Sequence, residues 1–384
     1  MQRVLPFFMM RTPDGMKQPK RSNVMDRRQL LSLTGGMAAG AAAIWSGAGT
    51  AKAATNAAGP YAPWGDWKTD IRGDYLDLTT AEGNMHAYAR LMANQDMTST
   101  KFGWGHGIVQ GVRPGEAIRD LVGFQLLSTA KFVPYQGPGK RGYSKVLREI
   151  GLYTDLETGE ILEEWVNPYF NEKQKVVPIA NDPFNQHISM TKRQAPSYGG
   201  LNKVKPQSEP YILDFTRKGD TLHLFRHINL FYPNALQPKK WPRESSGEFN
   251  QVTETFLFQI PWADMQNPDL TSVEYHGTWN RTTPWLPWMM MGPTPGHCQY
   301  NVFMGAVDDI NKVNPKVLEY VEAKYPKYLV APDTWEEPSL SSLELYAQEQ
   351  TPAPLAPGQS APVYEAAPLP GWWQAAKAKM QGEG

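Results

Sequence analysis

Three stretches of this 384-residue chain bring together side chains capable of chemistry. In the first, residues 221–231 (TLHLFRHINLF), His223 and His227 stand four apart. On a helix that spacing would put both imidazoles on one face and suit a shared metal. The stretch instead alternates and follows the turn Arg217-Lys218-Gly219-Asp220, so it reads as a strand. Strand positions four apart are separated by roughly 13 Å, whereas each zinc–nitrogen bond is about 2 Å. No metal site is therefore expected at this pair, and no metal or cofactor elsewhere. What remains is one strand face with Thr221, His223, Phe225, His227, Asn229 and Phe231, and another with Leu222, Leu224, Arg226, Ile228 and Leu230. The second face is the conventional core, with Arg226 as an intruder. The first would line the cavity of a closed barrel, or face solvent in an open sheet.

The second stretch is residues 272–288 (SVEYHGTWNRTTPWLPW), where alternation places Glu274, His276, Thr278 and Asn280 on one face. Glu254, on the strand-like segment 250–260, joins them if the strands pair in register. His223, His227, Glu254 and His276 are then the candidates for proton transfer. The alternative is a polar outer face held by cross-strand pairs. The third stretch, residues 284–298 (PWLPWMMMGPTPGHC), sets Trp285, Trp288 and three methionines between prolines. It suits a lid, a pocket floor or a structural plug, since methionine fills irregular space. Trp285 and Trp288, with Phe225 and Asn229, form the expected ligand-binding set. Cys298 follows His297 directly, but neighbours on a strand face opposite ways, so a catalytic cysteine is not expected. Phosphate-cradling glycine loops, a Gly-x-Ser-x-Gly elbow, Cys-x-x-Cys and calcium loops are all missing from the sequence.

These stretches need a framework of strands. Alternating segments fall at residues 101–111, 121–135, 143–153, 161–166, 174–179, 211–216, 221–231, 250–260, 272–281 and 297–307. Turns at residues 155–160 (DLETGE) and 217–220 (RKGD) join neighbours as hairpins. Helical spacing marks residues 80–93, through Met85, Tyr88, Leu91 and Met92, and residues 315–325, which open on Pro315. The expected fold is mostly β, a large antiparallel barrel or barrel-like sandwich of about ten strands with one or two flanking helices. The expected domain spans residues 80–330. An irregular arm at 54–79 precedes it, and a proline-rich strap or tail at 331–384 follows, with Trp372 and Trp373 able to dock back.

The chain start carries an address. Met25-Asp26-Arg27-Arg28-Gln29-Leu30-Leu31 leads into a mildly apolar run at residues 30–45 and then Ala51-Lys52-Ala53. An arginine pair, an apolar run too short for a membrane span of about 20 residues, and a small-x-small site make a twin-arginine signal cleaved after Ala53. Asp26 stands where such signals usually have Ser or Thr, and Met25 is the more ordinary initiator. The expectation is a periplasmic protein, with the twin-arginine export machinery as a partner and no stable membrane span after cleavage.

Composition bounds the remaining partners. The whole chain has 38 basic and 38 acidic residues, but residues 1–53 hold eight of the basic and two of the acidic ones, which leaves a net charge of −6 after cleavage. A modestly acidic surface disfavours nucleic acid. The single cysteine allows no internal disulfide, so stability rests on a buried core. The 13 Trp, 17 Tyr and 14 Phe suit either an all-β core or an aromatic-lined pocket.

Residues 151–168 (GLYTDLETGEILEEWVNP), 180–183 (ANDP) and 284–297 (PWLPWMMMGPTPGH), with the leader, resemble the bacterial domain-of-unknown-function family 1838. The resemblance runs from about residue 70 to about residue 330 and implies no activity and no catalytic residues. The sequence leads to an exported protein that holds a small apolar or aromatic molecule and performs cofactor-free acid–base chemistry, of isomerase or hydratase/dehydratase type. The rival readings are a non-enzymatic binding or carrier barrel and an envelope interaction module. A polar pair inside the cavity favours the enzyme.

Overall fold

A computed structural model describes residues 70–363, apart from 138, 192–209, 338, 339 and 356. The export signal at residues 1–53 and the pair Trp372 and Trp373 lie outside the described residues.

The first helix, α1 (Ala81–Met92), starts at Thr80, whose hydroxyl oxygen accepts the Gly83 N–H at 3.0 Å. Glu82 in its first turn and Arg90 in its last complement the helix dipole. Twelve strands follow: β1 (Lys101–Val112), β2 (Arg119–Val133), β3 (Gly142–Thr154), β4 (Glu164–Asn167), β5 (Glu172–Lys175), β6 (Ile179–Asn181), β7 (Gln186–Ser189), β8 (Asp214–Lys218), β9 (Thr221–Pro233), β10 (Phe249–Pro261), β11 (Tyr275–Thr283) and β12 (His297–Val307). A short helix, α2 (Trp262–Gln266), interrupts β10 and β11, and α3 (Pro315–Lys324) and α4 (Ser342–Glu349) come last. Among the described residues no helix is long and apolar enough to cross a membrane.

Ten strands form one antiparallel sheet in the order β6-β3-β2-β1-β12-β11-β10-β9-β8, with β7 also pairing β3; β4 and β5 pair separately. The fold is mostly β with few helices, as the alternation implies, but the sheet does not close into a barrel. Its edges are short strands: β6 and β7 on one side, β8 on the other. Among the described residues they are joined by an isolated bridge, Thr191 to Pro210, and by the Tyr211 N–H donating to Met190 O at 2.9 Å. Strands this short blunt an edge without supplying a ladder long enough for closure.

The sheet nonetheless curls. β3 and β9 stand six ladder steps apart, yet both line one cavity. Its inward face carries the main core, including a ring cluster in which Phe124 meets Tyr300 at 5.1 Å and Trp279 at 5.8 Å between centroids. The outward face is covered locally by α3, whose Val317 and Val321 cluster with Leu127, Ile150 and Leu152.

Two expected strands differ. The hairpin at 155–160 forms, with Gly159 at φ +70°, but its returning arm reaches β3 only through the single bridge Thr154 to Ile161. The chain then leaves the main sheet for the β4–β5 pair. The segment expected as a strap also holds α4, opened by a capping box between Ser341 and Glu344 and packed through Tyr346 against Trp241 at 5.6 Å.

Candidate functional site

β9 decides which side chains reach the interior. Leu222, Leu224, Arg226, Ile228 and Leu230 stand opposite Ile260, Phe258, Phe256, Glu254 and Val252 of β10. This is the apolar face of both strands, so burial drives it inward. The other face of β9 turns out: Phe225 is 49% exposed, His227 and Asn229 are exposed, and His223 is only partly buried. Asn229 accepts the Thr253 hydroxyl at 2.8 Å on that outer side. The expected site on His223, Phe225, His227 and Asn229 is therefore corrected, because the sheet is open and its polar face meets solvent.

His276 is exposed too, and packs against Trp104 at 6.0 Å. Trp285 and Trp288 are buried. Trp285 donates its indole N–H to Thr294 O at 2.9 Å, and Trp288 packs on Tyr153 and Trp165 at 5.0 and 5.4 Å. They border a small void of about 50 Å³ with Asn250 and Arg281, at the end of the inward face away from α1. Of the three expected roles, their burial and packing fit a plug or the floor of that void, and not a lid. Of the expected catalytic set, only Glu254 points inside.

A cavity of about 200 Å³ lies between the inward face and α1. Leu91, Met92, Phe256, Phe258 and Met304 give it apolar walls, and Tyr88 and Tyr275 add phenols. Gly103 gives it depth, since a Cβ there would stand 2.3 Å from Ser128 Oγ. α1 is held over it from below: Arg90 donates to the backbone oxygens of Met265, Asn267 and Leu270 at 2.5–2.6 Å. Lys101 Nζ donates to Arg90 O at 2.9 Å, and to Ser272 Oγ and Val273 O at 2.6 Å each. Burial pushes this ammonium down to about 8 while its three acceptors hold it in place.

Two carboxylates reach this apolar space. Glu254 is 5% exposed, and its Oε1 lies 3.4 Å from Nη1 of Arg281, its direct cross-strand partner. Glu149 projects from β3 beside Ser128 and accepts Asn181 Nδ2 at 2.8 Å. Burial raises both carboxyls above their ordinary range. Arg281 opposes that rise at both, and Glu149 adds to it at Glu254. A carboxyl whose pKa burial raises keeps its proton to higher pH than a free one, and so can both give and take a proton. Arg226 enters from β9 and donates to the Tyr88 hydroxyl, its guanidinium 4.8 Å from that ring's centroid.

Sequence reasoning marks Arg226 only as an intruder in the core and does not single out Glu149 or Lys145, although two signals are present. Arg226 interrupts an otherwise aliphatic face, and residues 143–153 place Lys145 and Glu149 on the same alternation as Tyr143, Leu147 and Tyr153.

The stretches that carry the family resemblance meet one another and touch the cavity at one point: Asn167 Nδ2 donates to Met289 O at 2.9 Å, Trp165 meets Trp288 at 5.4 Å, and Asn181 Nδ2 donates to the cavity-lining Glu149 at 2.8 Å. The model of a family described as "Protein of unknown function (DUF1838)" matches residues 98–350. No curated protein matches the chain.

Proposed function

For a chain that belongs to the DUF1838 family of proteins of unknown function, we propose acid–base chemistry without a cofactor on a small, largely apolar molecule held against the inward face of the curled, barrel-like sheet. The observation that carries this reading is the pair Glu149 and Glu254, two carboxylates facing one apolar cavity with different partners. The direct ion pair with Arg281 at 3.4 Å assigns Glu254 as the base. Glu149, whose carboxyl burial raises in spite of Asn181, Lys145 and Arg281, is assigned as the acid. Glu254 takes a proton from the substrate as Glu149 releases one, and exchange with solvent resets the pair. Isomerisation, hydration and dehydration all follow this proton count. A carrier would have no use for two raised carboxyls in its pocket, since each costs burial free energy.

A cavity of about 200 Å³ suits a small molecule, below the roughly 300–1,000 Å³ of drug-sized sites. The arginine pair Arg27-Arg28 and the tripeptide Ala51-Lys52-Ala53 support export by the twin-arginine route, with the reaction then taking place in the periplasm.

The test is deuterium exchange. A panel of small ketones and enones is incubated with the protein in D2O, and carbon-bound exchange is followed by proton NMR. Catalysed exchange with at least one member, lost in Glu254→Gln, supports the reading. Exchange equal to the buffer rate across the panel, or exchange that persists in Glu254→Gln and Glu149→Gln, overturns it.

A further inference from the structure

The charges around the cavity do not balance among themselves. Glu254 is matched by Arg281 at 3.4 Å. Glu149 has Lys145 and Arg281 near enough to favour its ionised form. Lys101 gives its three protons to three oxygens of the protein. Arg226 differs. Its guanidinium donates to the Tyr88 hydroxyl and lies over the Tyr88 ring, and no carboxylate pairs with it among the described residues. A guanidinium has five N–H donors and stays charged at any ordinary pH, so a phenol leaves most of its capacity unused. Arg226 is partly buried and lines the cavity, where withdrawing a charge from water without a counter-ion is costly, and the cavity is the side from which one can arrive.

We propose that Arg226 is the anchor for the carboxylate of an amphipathic acid whose apolar body fills the cavity. This rests on the cavity reading above and names its substrate class. The planar fork of the guanidinium matches a carboxylate in bidentate fashion. Phe256 and Phe258, from the paired strand, and Leu91 and Met304 supply the apolar wall for the body. Register then places the chemistry. Arg226 is opposite Phe256, one inward position along β10 from Glu254, a step of roughly 6–7 Å. An acid seated on Arg226 brings the carbons a few bonds from its carboxylate beside Glu254. The apolar character comes from the walls and the orientation from Arg226.

The test uses matched pairs of a carboxylic acid and its primary amide, with phenyl, naphthyl and medium-chain alkyl bodies. Binding is read by ligand-observed NMR and by the shift in thermal midpoint. In the wild-type protein at least one acid should bind about tenfold or more tighter than its amide, the scale of a charge-assisted hydrogen bond. Arg226→Gln should erase that preference by weakening the acid alone, and Arg226→Lys should keep part of it. If Arg226→Gln does not fold, the acid–amide comparison in the wild type and in Arg226→Lys still decides. Acids and amides binding equally well would overturn the anchor and leave the cavity reading standing. Binding by no member of either series would count against both. An acid preference unchanged in Arg226→Gln and Arg226→Lys would move the anchor elsewhere and overturn this assignment.

Discussion

Glu254 and Arg281 are direct partners across the β10–β11 ladder, and their side chains meet on the inward face with Nη1 3.4 Å from Oε1. Neither side chain is more than 15% exposed. The pair therefore divides the inward face in two, with the cavity of about 200 Å³ on the side of Phe256 and Phe258 and the void of about 50 Å³ on the side of Asn250 and Trp288.

Breaking this pair from one side leaves a buried charge alone. Arg281→Met should destabilise the protein by about 3 kcal/mol, the low end of what such losses cost. The double variant Glu254→Leu with Arg281→Met should recover much of that loss, because the Glu254 charge leaves with its partner and Lys145 still faces Glu149. Urea denaturation of the three proteins checks this. Equal stability of Arg281→Met and wild type would mean that the pair is solvated.

Glu149 should give stability a pH dependence opposite to that of a salt-bridged carboxylate. Burial raises its folded-state pKa above the ordinary 4.5. Between 4.5 and that raised value the native state holds a proton that the unfolded chain has already released. Stability therefore falls as pH rises through this window. Glu149→Gln lacks that penalty, so its stability relative to wild type should improve from acid to neutral pH. A difference independent of pH, in denaturation curves on both sides of the window, would contradict the buried ionisation.

The outward histidines should be dispensable. His223→Ala and His227→Ala should each change stability by no more than about 0.5 kcal/mol and leave ligand binding intact, since both lie on the outer side of β9. Trp288→Ala should instead cost about 3–5 kcal/mol, as a large ring lost from a packed core. Thermal and denaturant unfolding of the three variants separates these outcomes.

Much of the fold was legible because alternation reports which strand positions share a face. β9, β10 and β12 fall within two residues of the segments drawn from the pattern alone. Closure was not legible, because it depends on whether β7 and β8 are long enough to pair, and no periodicity states that. α4 hid within proline-rich sequence, although the Ser341–Glu344 spacing of its capping box was visible. The site failed for a physical reason. Chemistry was sought on the polar face of β9, but in an open sheet the aliphatic face turns inward. The informative residue was the one that broke that face, Arg226, with Glu254 and Glu149 on neighbouring inward positions.

Export makes a separate prediction. Replacing Arg27 and Arg28 together with Lys should strand the precursor in the cytoplasm, as shown by cell fractionation and by retention of the segment up to Ala53. Normal processing and periplasmic recovery of that variant would remove the twin-arginine assignment.

The most direct measurement is the titration of the Glu149 and Glu254 carboxyl carbons by 13C NMR, from about pH 3 to about pH 9. Glu149→Gln and Glu254→Gln assign the two signals, and the titration is repeated with the tightest acid of the matched series. The account predicts that both carboxyls titrate above the ordinary glutamate range, as one coupled pair, and that the acid shifts both signals. Two carboxyls titrating independently in the ordinary range, with no response to any acid or amide tested, would contradict it.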